Sequence, residues 1–255
     1  MIDFTFPSIG PFVPPSGPWM TGLACVQCFM VLVNGLNEVY NPTPYSKFAK
    51  VSAKLPSRVG MTLIYTPSFL VATVLIVLHE NIANTLASYL VALHFLKRVL
   101  ECLFLHKYSG SMELSASVMI STFYTLISIL LLTTAQPMTN SHAQTLGLQL
   151  FAVGELGNLY HHYLLRQLRS EKGKKRYVAP HGGLFDYVAA PHYLFEITAF
   201  LGIAYASQSL HALLAALGMA SYLTGRAVLT NKFYQDTFDK SEWSRDKKAI
   251  IPFVF

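Results

Sequence analysis

Charged residues are scarce in this sequence. Asp, Glu, Lys and Arg make up only 13% of the 255 residues, whereas hydrophobic residues make up 53%. Soluble globular domains normally devote about 25% of their residues to charge. A chain this apolar would expose too much hydrophobic surface to water, so the composition excludes an ordinary soluble domain and predicts a membrane protein.

Cysteines and the usual nucleotide-binding motifs are also few. Cys25, Cys28 and Cys102 cannot form a disulfide framework, and the Cys25–Cys28 pair has no second pair to complete a metal site. The sequence contains no GxSxG, no P-loop and no GxGxxG. The histidines are scattered, unlike the repeated clusters of membrane di-iron desaturases. We therefore expect no metal, and a nucleotide cofactor held without a Rossmann turn.

Apolar segments suited to membrane helices recur along the chain. Seven are predicted, at 19–36, 61–78, 82–96, 115–134, 145–165, 191–206 and 209–229. The third can continue as a helix through Leu105. A Pro-rich stretch at 1–18 lacks the basic start and unbroken apolar core of a signal peptide, so we expect an irregular arm there.

The basic residues divide the connections into two kinds. All 19 Lys and Arg residues lie on alternate connections between the predicted segments. The positive-inside rule then places the N-terminus in the lumen and the C-terminus in the cytosol. The net charge of +6 is thus an orientation signal, not a nucleic-acid surface. We predict an all-α membrane protein, a bundle of about seven transmembrane helices forming one domain at 19–255 after the arm at 1–18.

One polar helix face is predicted near the end of the fifth segment. Asn158, His162, Arg166 and Arg169 follow spacings of four, four and three residues, which places them on one side of a helix. Arginine pairs bidentately with phosphate oxygens, so this face suits a phosphorylated cofactor. The alternative is a solvated helix end that contacts lipid headgroups.

The densest polar chemistry lies between Tyr177 and Glu196. Gly182 and Gly183 allow a tight turn, and the run PHYLFE brings polar groups into an apolar segment. A carboxylate such as Glu196 is expensive to bury in a membrane and is a functional candidate. The alternative is a structural hydrogen bond within the bundle. We also expect the ending KKAIIPFVF to fold back onto the bundle.

These residues resemble the steroid 5α-reductase family, which includes the trans-2-enoyl-CoA reductases. The resemblance covers most of residues 95–255 and is carried by GNLYHHYLLRQLR, YVAPHGGLFDYV with PHYLFEI, and GRA, KFY and KKAIIPFVF. HFLKRVLECLFLHKYSGSM is more similar to the enoyl-CoA reductase branch. Plant members of the steroid-reductase type are more similar in overall length, in the stretch YSKF and in the final PFVF.

The resemblance implies a seven-helix membrane enzyme that binds NADPH in a cavity open to the cytosol. Such an enzyme reduces a carbon–carbon double bond conjugated to a carbonyl. The family's cofactor positions fall, within a half at about 145–255, on Asn158, Arg169, Tyr177, His192, Glu196, Arg226 and Tyr234. Arg169 and Arg226 would meet phosphates. The family often has Asp where this chain has His162, and Asn where it has His192.

The resemblance is weakest at the catalytic end. Steroid reductases use a Glu in the second span and a Tyr in the third to hold the 3-oxo group, but the matching positions here are Tyr65 and Phe95. A phenol can hydrogen-bond an enolate, so Tyr193 is the first candidate catalytic residue and Tyr65 the second. A lysine, Lys97 or Lys107, is a further candidate to support an oxyanion.

Several functions stay open from the sequence. The leading hypothesis is NADPH-dependent reduction of a lipid, either a Δ4-3-oxosteroid or a 2-enoyl thioester, in the endoplasmic reticulum membrane. A second class is an S-adenosylmethionine-dependent membrane methyltransferase, whose related architecture would leave Arg169 and Arg226 without phosphates to bind. A third is a non-catalytic partner in a lipid-synthesis complex.

Overall fold

Helices account for most of the fold in a computed structural model that describes residues 9–48, 54–108, 110–139, 141–168 and 178–255. The α-helices are α1 (Pro18–Tyr40), α2 (Ser57–Leu78), α3 (Glu80–Ala83), α4 (Leu86–Leu100), α5 (Leu114–Thr134), α6 (His142–Gln167), α7 (Pro191–Ser207) and α8 (Leu210–Thr237). Short 3-10 turns lie at Ser46–Phe48 and Gly183–Asp186. β1 (Leu55–Pro56) pairs antiparallel with β2 (Ser111–Met112).

Helix boundaries follow local sequence signals. Pro18 and Pro191 occupy first-turn positions of α1 and α7, where the missing N–H is not needed. The Ser141 hydroxyl accepts a hydrogen bond from the Gln144 amide and caps α6. Gln208 adopts a left-handed conformation (φ 52°) that ends α7. The sharp turn into α8 results from this conformation.

The third predicted segment is divided, so its expected start at Ile82 is wrong. The chain breaks after α3, and the Thr85 hydroxyl accepts a hydrogen bond from the Ser88 amide (3.4 Å) to start α4. The predicted continuation through Leu105 is present as a π-helical turn at Glu101–Leu105. Such turns often mark functional sites, and this one carries buried Glu101.

Within the ranges that the structure describes, four helices are long and apolar enough to cross a membrane, namely α1, α2, α5 and α8. They make the chain an integral membrane protein. The helix α4 has 15 residues and α7 has 17, which correspond to about 22 and 26 Å of helix, less than the hydrocarbon thickness of about 30 Å. Seven crossings and the orientation of the ends therefore stay predictions.

Small residues bring two helix pairs close together. α6 packs most extensively against α7, and α1 against α8. A side chain added at Gly154 would overlap the backbone of Ala199 in α7, and one added at Gly225 would overlap the backbone of Gly35 in α1. Small residues at helix contacts are the usual way to pack helices in a membrane, where lipid is as apolar as the side chains.

The end of the bundle where α1, α4, α6 and α8 terminate is here called the basic end. A strap, residues 238–255, returns from α8 along residues 187–190. The Lys248 amide donates to the Tyr187 carbonyl (3.1 Å), and the Ala189 and Ala190 amides donate to the Lys248 and Ala249 carbonyls (2.9 and 3.1 Å). The expected folding back of KKAIIPFVF is thus confirmed for Lys248 and Ala249.

The opposite end is closed by the Pro-rich arm. Phe12 is buried there, and its ring contacts Tyr205 at a centroid distance of 5.1 Å. The Val13 amide donates to the Gln208 carbonyl (2.8 Å), and the Leu210 amide donates to the Val13 carbonyl (2.9 Å). These bonds fasten the described part of the arm to the turn between α7 and α8.

Candidate active site

Arg98 is the centre of a buried polar network at the basic end. The residue is only 5% exposed. One guanidinium nitrogen lies 2.6 Å from Glu101 Oε2 and 3.1 Å from His162 Nδ1. Glu101 Oε1 in turn lies 3.1 Å from His162 Nδ1. A buried ion pair needs such additional hydrogen bonds to offset desolvation, so the α4–π-turn junction and α6 are joined through compensated charges.

The second guanidinium nitrogen of Arg98 reaches α2. It donates to the Tyr65 hydroxyl (2.8 Å), and the guanidinium carbon lies 4.7 Å from the centre of the Tyr65 ring. The rings of Phe95 and Tyr124 surround Tyr65, with centroid distances of 6.4 and 5.7 Å. Tyr65 therefore presents a buried hydroxyl, oriented by a cation, inside an aromatic pocket.

A second chain of polar contacts runs along α4 and α6. His94 Nδ1 lies 2.5 Å from Glu155 Oε1, and Lys97 Nζ lies 3.2 Å from Glu155 Oε2. Lys97 also donates to the side-chain oxygen of Asn158. The Asn158 amide nitrogen donates to the His192 carbonyl (2.9 Å) at the start of α7. Asn158 thus connects α4, α6 and α7.

Two side chains on α7 keep polar atoms without partners. Glu196 is 4% exposed, and no hydrogen bond or ion pair reaches its carboxylate within the described ranges, although Arg98 and Tyr65 lie within electrostatic range. Nδ1 of His192 is likewise buried without a partner. An orphaned buried polar atom such as His192 Nδ1 is rare and costly, and an intramembrane carboxylate is a functional candidate, so this part of α7 indicates a place for a polar ligand.

Arg226 lies in a second buried cluster. It is 1% exposed and pairs with Glu38 of α1 (2.5 Å). It also donates to the carbonyls of Thr43 and Tyr45 (2.9 and 3.0 Å) and stacks over the Tyr45 ring at 3.8 Å. The Tyr193 side chain lies within electrostatic range of Arg226. Among the guanidinium nitrogens of Arg226, only Nε has no partner. A phosphate that bound here would therefore have to share the guanidinium group with Glu38.

The other predicted site residues are placed less centrally. Tyr234 is buried, and its ring contacts Trp243 of the strap at 4.8 Å. Arg166 lines a cavity of about 400 Å³ with Lys107, Tyr163 and Gln167. Two cations in one cavity suit an anionic group. Arg169 and Tyr177 lie outside the described residues.

Three groups at the network's edge have spacing that a metal ion would accept. Ligand atoms of Glu101, His106 and His162 lie within 4.8 Å of one another. However, Arg98 and Lys97 already bring two positive charges to Glu101, which disfavours a divalent cation. Burial, together with the charges of His162 and Arg98, lowers the pKa of His106 to about 2, so its imidazole is neutral near pH 7.

Sequence reasoning identified Asn158, His162, His192 and Glu196, and the structure gathers them around α4. It missed Arg98 and Glu101 as site residues. Their spacing of three residues places the two opposite charges side by side on one helix. An ion pair beside an apolar segment is expected to face the interior of the bundle, so this spacing could have identified them. Glu155 also met the rule for buried carboxylates that singled out Glu196.

Comparison with known proteins identifies the family of the chain. The sequence profile of the family described as 3-oxo-5-alpha-steroid 4-dehydrogenase matches residues 96–255. The 3-oxo-5-alpha-steroid 4-dehydrogenase 2 of Homo sapiens is 40% identical over 111 residues, 44% of this chain and 42% of that protein. The same enzyme of Sus scrofa has the same identity and coverage.

A second branch aligns over more of the chain. The very-long-chain enoyl-CoA reductase of Dictyostelium discoideum is 29% identical over 183 residues, 69% of this chain and 59% of that protein. The matched region thus spans between 42% and 59% of the length of these relatives. Because the family profile covers more than half of the sequence, including α6, α7 and α8, the chain belongs to the 3-oxo-5-alpha-steroid 4-dehydrogenase family.

Proposed function

We propose that this protein is an NADPH-dependent oxidoreductase that reduces a carbon–carbon double bond conjugated to a carbonyl in a lipid. The observation that carries the proposal is the unpartnered Nδ1 of His192 on α7 together with the buried residue Glu196, four positions further along the same helix and beside the Arg98 network. A carboxylate in that position can accept hydrogen bonds from a neutral amide. Membership of the family supports the reaction class.

The residues present fit NADPH at its nicotinamide side. The carboxamide of that ring offers two N–H donors and one acceptor, which match Glu196 and the free Nδ1 of His192. Asn158 fixes the start of α7 and thereby the direction of both side chains. Arg166, Arg169 and Arg226 are the proposed cations for the phosphates. When bound, NADPH supplies the hydride that is added to the β-carbon of the substrate.

The protein's part in the reaction is to stabilise negative charge on the carbonyl oxygen. A tyrosine hydroxyl donates a hydrogen bond to that oxygen and strengthens it as an enolate forms. Tyr193 is our first candidate, since it adjoins His192 and lies within reach of Arg226. Tyr65 is the second. Its oxygen accepts a bond from Arg98, so its own proton remains available for donation.

The first candidate substrate is a Δ4-3-oxosteroid, reduced to the 5α-3-oxosteroid, because the steroid enzymes show the higher identities. The second is a trans-2-enoyl-CoA, because the enoyl-CoA reductase aligns over 69% of the chain. The place of the family's usual Glu is taken by Tyr65, which also favours the thioester. We propose the endoplasmic reticulum membrane as the location, with the site facing the cytosol.

The test is NADPH oxidation by purified protein in detergent, with progesterone and a long-chain trans-2-enoyl-CoA in parallel. Turnover with the steroid alone identifies a steroid reductase that works without the usual Glu–Tyr pair. Turnover with the thioester alone places the protein in fatty-acid elongation. Binding of NADPH without turnover of either would support a non-catalytic role. Binding of S-adenosylmethionine instead of NADPH would refute the reductase proposal in favour of a methyltransferase.

A further inference from the structure

The tip of the strap exposes an unusual run of apolar side chains. Exposed fractions are 44% for Ile251, 79% for Phe253, 73% for Val254 and 49% for Phe255. Phe253 also has a left-handed backbone (φ 64°), which is unfavourable for a bulky residue. Contiguous exposed apolar surface next to a strained aromatic residue would be disfavoured in water and indicates an apolar contact.

The tip is attached at a depth that lipid can reach. Ala249 and Ile250 pack against Ala227 and Val228 of α8, together with Leu194 of α7. Ala227 follows Leu210, the first residue of the candidate span α8, by about 26 Å of helix at 1.5 Å per residue. That distance is shorter than a hydrocarbon layer of about 30 Å, so the tip lies beside the helix near the membrane boundary.

The charges beside the tip suit a phospholipid headgroup. A cleft of about 340 Å³ adjoins Phe253 and is also lined by Asp186, Tyr187, Ser244, Asp246, Lys247 and Lys248. The Lys248 ammonium can attract the lipid phosphate, whereas the Lys247 ammonium already donates to the Phe185 carbonyl (2.8 Å) and adds positive charge at the side of the cleft. The two carboxylates can pair with the positive amine of a zwitterionic headgroup. Apolar side chains under mixed charges form the usual profile of an interfacial anchor.

We propose that residues 251–255 insert into the interfacial region of the bilayer, with a zwitterionic phospholipid headgroup over the adjoining cleft. This contact holds the strap against the start of α7. The strap binds the backbone of Ala189 and Ala190, which directly precede Pro191 and His192. Lipid contact therefore steadies the residues that carry the candidate site. The proposal is independent of the reductase function.

Depth-dependent fluorescence quenching tests the insertion. The variant Trp19→Phe with Phe253→Trp is reconstituted into phosphatidylcholine vesicles brominated at different acyl positions. Trp19 is removed because it is 90% exposed on α1, whereas Trp243 is fully buried and gives a constant background. Trp19→Phe alone is the matched control. We expect lipid brominated near the headgroup to lower the emission of the introduced indole at least twofold. Quenching by aqueous iodide but by no brominated lipid would overturn the proposal.

Hydrogen exchange tests the consequence for the site. Phe253→Asp with Val254→Asp removes the apolar tip, and Ser241→Asp adds charge elsewhere on the strap as a control. In nanodiscs we expect the tip variant to speed exchange of the Ala189 and Ala190 amides roughly tenfold, because the strap that accepts their hydrogen bonds opens more often. Unchanged exchange in a correctly folded tip variant would show that lipid contact does not hold the strap.

Discussion

Two tyrosines are candidates for the same role, which is to donate a hydrogen bond to the substrate carbonyl, and their surroundings differ. Tyr65 lies in an aromatic pocket and accepts a hydrogen bond from Arg98. Tyr193 lies next to His192 on α7, with ring centres 4.2 Å apart, and on the side of Arg226. Each can donate its proton to a carbonyl, because a phenol stays protonated near neutral pH. Tyr65 is buried, which keeps water from competing for that bond, whereas Tyr193 is half-buried.

Removing the hydroxyl of Tyr193 is expected to slow chemistry more than binding. We predict that Tyr193→Phe lowers kcat by about 100-fold or more, with little change in the Kd of NADPH. The measurement is steady-state NADPH oxidation beside a fluorescence titration of NADPH. Tyr124→Phe is the control, since it removes a buried phenol that neighbours Tyr65 and Phe95 and that has no proposed catalytic role. If only Tyr65→Phe reduces turnover, Tyr65 is the catalytic residue.

The predicted phosphate contacts of Arg169 have a separate signature. We expect Arg169→Ala to raise the Kd of NADPH about 10- to 100-fold, the usual effect of losing a charged hydrogen bond. The fold is expected to survive, as judged by circular dichroism. Arg58→Ala is the control, because Arg58 is an exposed cation in the first turn of α2. Equal affinity in Arg169→Ala and Arg58→Ala would refute the contact.

The Arg98–Glu101 pair is expected to be essential for stability. Replacing Glu101 by Leu leaves a buried guanidinium without its carboxylate, which typically costs about 3–5 kcal/mol. Thermal unfolding in detergent should show the loss as a lower Tm, while Glu80→Gln, an exposed site, should show little change. The double variant Arg98→Leu with Glu101→Leu should recover part of the loss. An unchanged Tm in Glu101→Leu would mean that the Arg98–Glu101 pair is not buried in the folded protein.

At the scale of elements, the α6–α7 contact determines how the site is closed. Gly154→Ala places a methyl group against the Ala199 backbone, and overpacking of this kind typically costs about 1–3 kcal/mol. We therefore predict a lower Tm for Gly154→Ala. Gly22→Ala on α1 is the control, because a Cβ there meets nothing within 4 Å, and helix propensity alone favours the change. A Tm equal to that of Gly22→Ala would contradict the close packing.

The elements were largely predictable from sequence, but their contacts were not. Apolar runs located the long helices, since each must supply a hydrophobic surface. The break at Thr85 was missed because a single capping hydroxyl hardly changes the mean hydropathy of the apolar segment around it. Pairs such as Glu38 with Arg226, 188 residues apart, depend on tertiary packing and leave no periodic pattern. Glu196 was identifiable because a carboxylate is costly to bury in an apolar segment and is therefore a functional candidate.

At the scale of the molecule, the polar chemistry is gathered towards one end. Arg98, Glu101, His162 and Arg226 are all buried near the basic end, whereas the opposite end is closed by the arm and the α7–α8 turn. A cofactor with several negative charges would enter most easily from the side that carries the excess of lysine and arginine. The orientation of the chain in the membrane therefore also decides which compartment supplies the cofactor.

Cysteine labelling tests the orientation and the number of crossings together. In a background with Cys25, Cys28 and Cys102 replaced by alanine, we expect an impermeant maleimide to label Lys54→Cys and Lys107→Cys in sealed microsomes. Met138→Cys, on an exposed connection without basic residues, should react only after permeabilisation. The reason is that basic connections are retained on the cytosolic side during insertion.

Lys107→Cys is the decisive variant, because it follows the short helix α4. Protection of this position in sealed microsomes, with Lys54→Cys labelled, would mean that α4 does not cross the membrane and that the Arg98 network lies nearer the lumen. Labelling of Met138→Cys as readily as Lys54→Cys would instead remove the α5 crossing from the predicted topology. The predicted topology requires that Lys54→Cys and Lys107→Cys are both labelled and that Met138→Cys is protected. That result places the buried network and the cavity beside Arg166 on the cytosolic side.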